Sequence, residues 1–317
     1  MRINNTIYLI GIFLFSLVGL CHGSKGNVQP NFLGCVDHCV RTECPTMELP
    51  LSLRLTLWDC PENCQYTCMQ KITDRALIEN TPVYQYYGKW PFYRLWGIQE
   101  PASVLFSIGN GYVHYYYFGI LRRDIPNAYY LKPFMLMFSL VGINAWIWST
   151  VFHSRDFPLT EKLDYFSAGL FILYSLYYGV IRLFHIQNKV IIRLLTVVVT
   201  MAFLAHISYL SFYTFDYGYN MMASVIVGSM LLLLWVGWAI LQYIKPENKH
   251  RRSYAYLVIL SVAGTSAAMA LELFDFPPFL RVFDAHSLWH FSTIPLMVLW
   301  YRFVLLDTPN EMRLGKY

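Results

Sequence analysis

Seven apolar segments, each near the ~20 residues a helix needs to cross a bilayer, constrain this chain more than any other feature. They run at about 102–121, 131–152, 163–184, 190–212, 221–244, 254–273 and 288–306. A backbone in hydrocarbon must satisfy its own N–H and C=O groups, so segments of this length and apolarity are helices. With 56% hydrophobic and 14% charged residues the chain falls outside the ordinary soluble class. The expected fold is therefore all-α: a polytopic membrane protein with seven transmembrane helices. The formal charge of +5 is best read loop by loop for orientation, and gives no reason to expect a nucleic-acid partner.

Ahead of the spans, residues 1–23 read as a signal peptide, with basic Arg2, an apolar run over 7–20 and the small residues Gly23 and Ser24. Cleavage there leaves a lumenal N-terminus. Residues 24–100 form a polar lumenal domain holding Cys35, Cys39, Cys44, Cys60, Cys64 and Cys68. An even set of cysteines in a short secreted segment implies disulfides. Spacings of four and five place each trio along one helix face. Two such helices, antiparallel, would pair Cys35 with Cys68, Cys39 with Cys64 and Cys44 with Cys60. Six cysteines allow 15 connectivities, and the nested choice rests on helical geometry alone. A zinc site is the rival reading, disfavoured by the lack of any C-x2-C pair.

Residues 101–306 then make the seven-span core, and 307–317 a cytosolic tail. The connections expected in the cytosol and the tail carry Arg122, Arg123, Lys132, Arg182, Lys189, Arg193, Lys245, Lys249, Arg251, Arg252, Arg302, Arg313 and Lys316. Those expected in the lumen carry only Arg155, Lys162 and Arg281. The positive-inside rule thus agrees with the signal-peptide orientation.

In that topology a set of polar residues converges on one shallow lumenal layer. Ser149 and His153 share a helix face at the end of the second span, Asp164 opens the third, and His286 and His290 repeat the four-residue spacing at the head of the last. Ser149 and His290 sit one turn deeper than His153 and His286, roughly 6 Å by helix rise. Three neutral imidazoles are the ligand set of an open Zn2+ site, which leaves a fourth position for water. The metal would bring that water's pKa towards ~7. Asp164 could accept its proton or orient a histidine, and Ser149 could donate to an oxyanion. The implied chemistry is hydrolysis of an acyl bond in a membrane lipid.

Other polar residues have blander readings. His114, His185, His206 and His250 suit interfacial or hydrogen-bonding roles, Asn110 and Asn144 suit bridges between helices, and Arg155 with Asp156 suits a loop charge pair. Glu272 and Asp275 are either interfacial or supporting groups near the site. The 25 Tyr and 22 Phe fit interfacial belts. A nucleophilic triad of Ser149, His153 and Asp164 is the alternative chemistry, but it leaves His286 and His290 without a role.

The pattern Ser149-x3-His153, Asp164 eleven residues on, and His286-x3-His290 resembles the CREST superfamily of seven-helix hydrolases. More narrowly, Phe-His-Ser-Arg-Asp-Phe-Pro-Leu-Thr-Glu-Lys-Leu-Asp-Tyr-Phe-Ser-Ala over 152–168, Asp-Ala-His-Ser-Leu-Trp-His over 284–290 and the six-cysteine segment resemble the post-GPI attachment to proteins factor 3 family. The resemblance implies a phospholipase A2-type enzyme that removes the sn-2 acyl chain of GPI-anchored proteins. It implies zinc at His153, His286 and His290, with Ser149 and Asp164 assisting catalysis, and residence in the Golgi, or in the endoplasmic reticulum as in fungal members. Two other classes compete. An alkaline ceramidase would share the zinc core without the cysteine-rich domain, and a non-enzymatic receptor or chaperone for GPI-anchored cargo would not need the histidines. A proton-coupled transporter fits less well, because the ionisable residues gather at one face.

Overall fold

The computed structural model describes residues 24–244, 252–273 and 275–313, without the side chains of 272 and 273. The signal-peptide segment, Lys245, Lys249, His250, Arg251, Lys316 and the Glu272 side chain lie outside the described residues. Contacts divide the chain into two units, one ending at Arg54 and resuming over Trp58–Pro91, the other made of Leu55–Leu57 and the chain from Phe92 onward.

In the first unit, α1 (Pro30–Thr42), the short α2 (Leu51–Leu55) and α3 (Cys60–Ile78) follow in order. Pro30 starts α1, and a reciprocal cap starts α3: Asp59 Oδ1 accepts from the Glu62 amide at 2.8 Å while Glu62 Oε2 accepts from the Asp59 amide at 3.0 Å. The disulfides are Cys35–Cys68, Cys39–Cys64 and Cys44–Cys60, the nested antiparallel set that the spacing predicts. Cys44 departs from the single-face expectation, since α1 ends at Thr42 and Cys44 lies in the turn beyond it. The buried core here is only Phe32, Cys39, Cys64, Cys68 and Tyr86 with a few half-buried neighbours. A core that small needs covalent staples.

The second unit is a helical bundle. Its helices are α4 (Pro101–Asp124), α5 (Lys132–Ser154), α6 (Pro158–Leu183), α7 (Lys189–Ser208), α8 (Tyr217–Ile244), α9 (Gly264–Leu273) and α10 (Ala285–Arg313). Prolines at the first turn open α4, α5 and α6, where a missing N–H costs nothing. A π turn, Tyr209–Tyr213, extends α7. Another, Ile259–Ala263, precedes α9 opposite Pro295 of α10, and there Ser261 Oγ donates to the Leu296 carbonyl at 3.0 Å.

All seven apolar segments are helical, and six are long and apolar enough to cross a membrane among the described residues: Lys132–Ser154, Pro158–Leu183, Lys189–Tyr213, Tyr217–Ile244, Ser253–Leu271 and Ala285–Arg313. The helix α4 has the length, 24 residues, but not the apolarity, because Ser103, Ser107, Asn110 and His114 form its buried face. By contrast α7 buries none of its residues and presents Leu194, Val197, Val198 and Met201 outward, as a lipid-facing helix does.

Aromatic packing holds the bundle centre: Phe138 of α5 lies against Phe171 and Tyr178 of α6 and Trp300 and Tyr301 of α10, with ring centroids 5.1–6.0 Å apart. Where α4 meets α5, a Cβ on Gly142 would lie 2.4 Å from the His114 ring, so only glycine permits the approach. One end of the bundle is clamped by buried charge. Arg182 pairs with Asp307, Arg252 pairs with Glu311, and Tyr254 donates to Asp307 Oδ1 at 2.9 Å. The opposite end carries the histidines.

Candidate metal centre

The start of α10 is fixed by Asp284, whose Oδ1 accepts from the Ser287 amide at 2.9 Å while Ser287 Oγ accepts from the Asp284 amide at 3.0 Å. The first two turns of α10 are thereby set, and His286 and His290 project from them on one face. On α5, Ser149 and His153 occupy the last two turns, 5% and 2% exposed. The three imidazoles meet where these helices approach. His286 Nε2 lies 3.2 Å from His153 Nε2 and 2.9 Å from His290 Nε2, and one ligand atom from each residue falls within 4.8 Å of the other two.

Supporting hydrogen bonds determine what those nitrogens can do. His153 Nδ1 is 2.8 Å from Glu100 Oε2, both groups being buried. An acceptor there places the ring proton on Nδ1 and leaves the Nε2 lone pair facing the cluster. His290 Nδ1 is 2.9 Å from Ser107 Oγ, and Ser107 Oγ is 3.0 Å from Ser149 Oγ. With the proton of His290 on Nδ1, the chain runs from Nδ1–H to Ser107 and from Ser107 O–H to Ser149. The Ser149 hydroxyl hydrogen remains available to a ligand.

Two lone pairs so directed, with a third imidazole between them, cannot all be satisfied by one another. A histidine that donates from Nε2 serves one neighbour and opposes the other. A cation resolves the conflict. Tetrahedral zinc with Zn–N near 2.0–2.1 Å separates its nitrogens by roughly 3.3 Å, close to the contacts found. The donor set therefore fits a zinc ion, with the carboxylate behind a histidine that such sites favour.

The sequence-expected residues fall as follows. His153, His286 and His290 come together, and Ser149 joins them through Ser107. Asp164 is half-buried in the second turn of α6 and is not a member of the group within 4.8 Å. The triad of Ser149, His153 and Asp164 does not form: His153 takes its carboxylate from Glu100, and Ser149 bonds Ser107. Arg155 reaches the backbone carbonyl of Asp156 at 3.3 Å. Asn110 bridges α4 to the His290 carbonyl of α10 at 2.7 Å, and Asn144 bridges α5 to Ser167 of α6 at 3.0 Å. His114 is fully buried against Tyr301 at 2.7 Å, as a hydrogen-bonding core residue.

Glu100 and Ser107 are the residues the sequence reading lacked. Glu100 had a signal: it stands immediately before Pro101 at the head of a span, at the same depth as His153. Its backbone confirms the register, for the Glu100 amide donates to the His153 carbonyl at 3.0 Å. Ser107 is marked only by its spacing with Asn110 and His114 along one face of α4.

The Per1-like family matches residues 50–308. Among curated relatives, the chain is 41% identical to the protein PER1 homolog of Schizosaccharomyces pombe, over 96% of this chain and 94% of that one. It is 39% identical to the GPI-specific phospholipase A2-like PGAP3 of Danio rerio, over 95% and 96% of the two chains. To the protein of that name in Homo sapiens it is 35% identical, over 94% and 93%. No solved structure matches.

Proposed function

Since this chain belongs to the Per1-like family, we propose that it is a lipid acyl hydrolase of GPI-anchor remodelling, releasing the sn-2 fatty acid of GPI-anchored proteins. The observation that carries this reading is the convergence of three Nε2 atoms with two of the imidazoles held from behind by Glu100 and Ser107. The names of the relatives, GPI-specific phospholipase A2-like, support the substrate. In this reading His153, His286 and His290 hold a zinc ion, which supplies Lewis acidity and makes water a nucleophile near neutral pH.

The chain's own residues do the rest. Glu100 and Ser107 fix the ring orientation of His153 and His290, so the ligand lone pairs need no reorganisation. Ser149 directs its free O–H at the ester oxygen that gains charge as the water oxygen bonds to the acyl carbon. Asp164 receives the water's proton and passes it to the alkoxide as the ester C–O bond breaks, giving a fatty acid and a lysolipid. The histidine end of the bundle faces the lumen, residues 1–23 are cleaved, the cysteine-stapled unit is lumenal and the C-terminus is cytosolic. The Golgi membrane is the proposed residence, with the endoplasmic reticulum as the alternative.

The test is to purify the protein in detergent, measure zinc by elemental analysis, and assay fatty-acid release from a GPI lipid for wild type and His286→Ala. About one zinc per chain and acyl release, both lost in the variant, are expected. Folded wild-type protein without metal would overturn the zinc mechanism, and metal without acyl release would overturn the hydrolase.

A further inference from the structure

Around the three histidines stand polar hydrogens that the protein does not use. Among the described residues three buried indole N–H groups lack a partner, those of Trp146, Trp289 and Trp300. Trp300 belongs to the aromatic core beside Trp235 and Phe138. The other two flank the metal centre. Trp289 sits between His286 and His290 in sequence, with ring centroids 5.5 and 4.9 Å from theirs. Trp146 lies one turn below Ser149 on α5, with its ring 5.2 Å from that of His290. The two indoles approach each other at 6.4 Å.

A third group completes the set. Ser103 is 1% exposed and its Oγ has no partner. On α4 it falls between Glu100 and Ser107, three residues from one and four from the other, so it shares the face that meets His153 and His290. Buried Ser139 and Ser175 bond a carbonyl one turn back, and buried Ser261 bonds the Leu296 carbonyl across helices, whereas Ser103 makes neither kind of bond.

A buried N–H or O–H without an acceptor costs about 1–3 kcal/mol. Three around one centre are economical only if something else accepts from them. The groups are neutral donors, the two indoles against the rings of His286 and His290 and Ser103 one turn from Ser107. That combination suits neutral acceptors: the ester carbonyl oxygens of a diacyl lipid, each with two lone pairs. A phosphate would call for cationic partners, and none of the three is charged. We propose that Trp146, Trp289 and Ser103 form a carbonyl-recognition wall that positions the acyl ester of a diacyl lipid at the histidine centre. This rests on the acyl-hydrolase reading and deepens it. It makes the three residues substrate-positioning groups and leaves the chemistry to the metal centre.

The test compares two probes, a diacyl phosphatidylinositol and its diether analogue, which lacks the ester carbonyls. Each competes with a fluorescent phospholipid for the purified full-length protein in detergent micelles, with and without a chelator. Wild type is expected to prefer the diacyl lipid. Trp146→Phe and Trp289→Phe keep an aromatic ring but remove the pyrrole portion with its N–H, and Ser103→Ala removes only the hydroxyl. Each is expected to cut the preference roughly threefold to tenfold, with zinc content unchanged. The Trp146→Phe/Trp289→Phe pair should bind both probes alike. A wild type indifferent to the carbonyl, or a double variant that keeps the preference, would overturn the proposal. Because binding is read in chelated protein too, a hydrolase reading that fails on zinc content or acyl release is separated from a wall that fails on probe preference.

Discussion

Replacing Glu100 tests whether the histidines are ligands or merely neighbours. Its carboxylate accepts from His153 Nδ1 at 2.8 Å, with the two side chains 6% and 3% exposed, so water cannot substitute for it. Glu100→Gln keeps an acceptor but makes it neutral. A hydrogen bond to a charged group contributes about 1.5–3 kcal/mol against about 0.5–1.5 kcal/mol for a neutral pair. The difference, ~1–1.5 kcal/mol, corresponds to about tenfold in metal affinity. Glu100→Ala removes the acceptor altogether and frees the His153 tautomer. Its loss should approach the ~100-fold upper range for groups behind a metal ligand. Zinc dissociation constants are measured by competition with a chromogenic chelator in detergent, alongside thermal unfolding of the zinc-free proteins. A graded loss in the order wild type, Gln, Ala is expected. If Glu100→Ala binds zinc within twofold of wild type while remaining folded, the tautomer argument is refuted.

Asp164→Asn should retain zinc, since Asp164 stands outside the ligand group, yet lower fatty-acid release by ~100-fold or more, which parallel metal and product assays distinguish. Gly142→Ala drives a Cβ to 2.4 Å from the His114 ring, and that ring is held by Tyr301 at 2.7 Å and cannot withdraw. A destabilisation of ~1–3 kcal/mol should appear as a lower melting temperature in detergent. Arg182→Met takes its closest cation from the buried Asp307 carboxylate, while Glu311 keeps Arg252; an expected cost of ~3–5 kcal/mol is checked by monodispersity and unfolding, with Asp307→Asn in the same chain restoring part of it.

Some of this was legible from residue spacing because spacing converts directly into geometry. Cysteines four and five apart on two helices leave one untwisted antiparallel pairing, and His286-x3-His290 shares a helix face whatever surrounds it. The groups behind the histidines were not legible. Glu100 and Ser107 act through contacts between α4 and two helices that are 53 and 183 residues distant along the chain, and no local period encodes such a meeting. Asp164 illustrates the converse. Its depth in the membrane was read from topology, but depth fixes one coordinate and leaves the azimuth around the bundle open, so Glu100 could occupy the place behind His153.

The hydropathy deficit of α4 and the organisation of the site are one fact. Ser103, Ser107, Asn110 and His114 recur at three- and four-residue intervals, and each is no more than 1% exposed. A lipid-facing helix with that stripe would leave its hydroxyls, amide and imidazole unsatisfied in hydrocarbon. Here α5 and α10 cover the stripe, and Asn110, for instance, donates to the His290 carbonyl while accepting from Thr293 Oγ1 at 3.1 Å. Those bonds tie α4 to the helix that carries two of the three clustered histidines. The stripe thus forces α4 into the middle of the bundle, and that placement brings Glu100 behind His153 and Ser107 behind His290. Polarity that weakens the helix as an independent span is what makes it the backing of the histidine cluster.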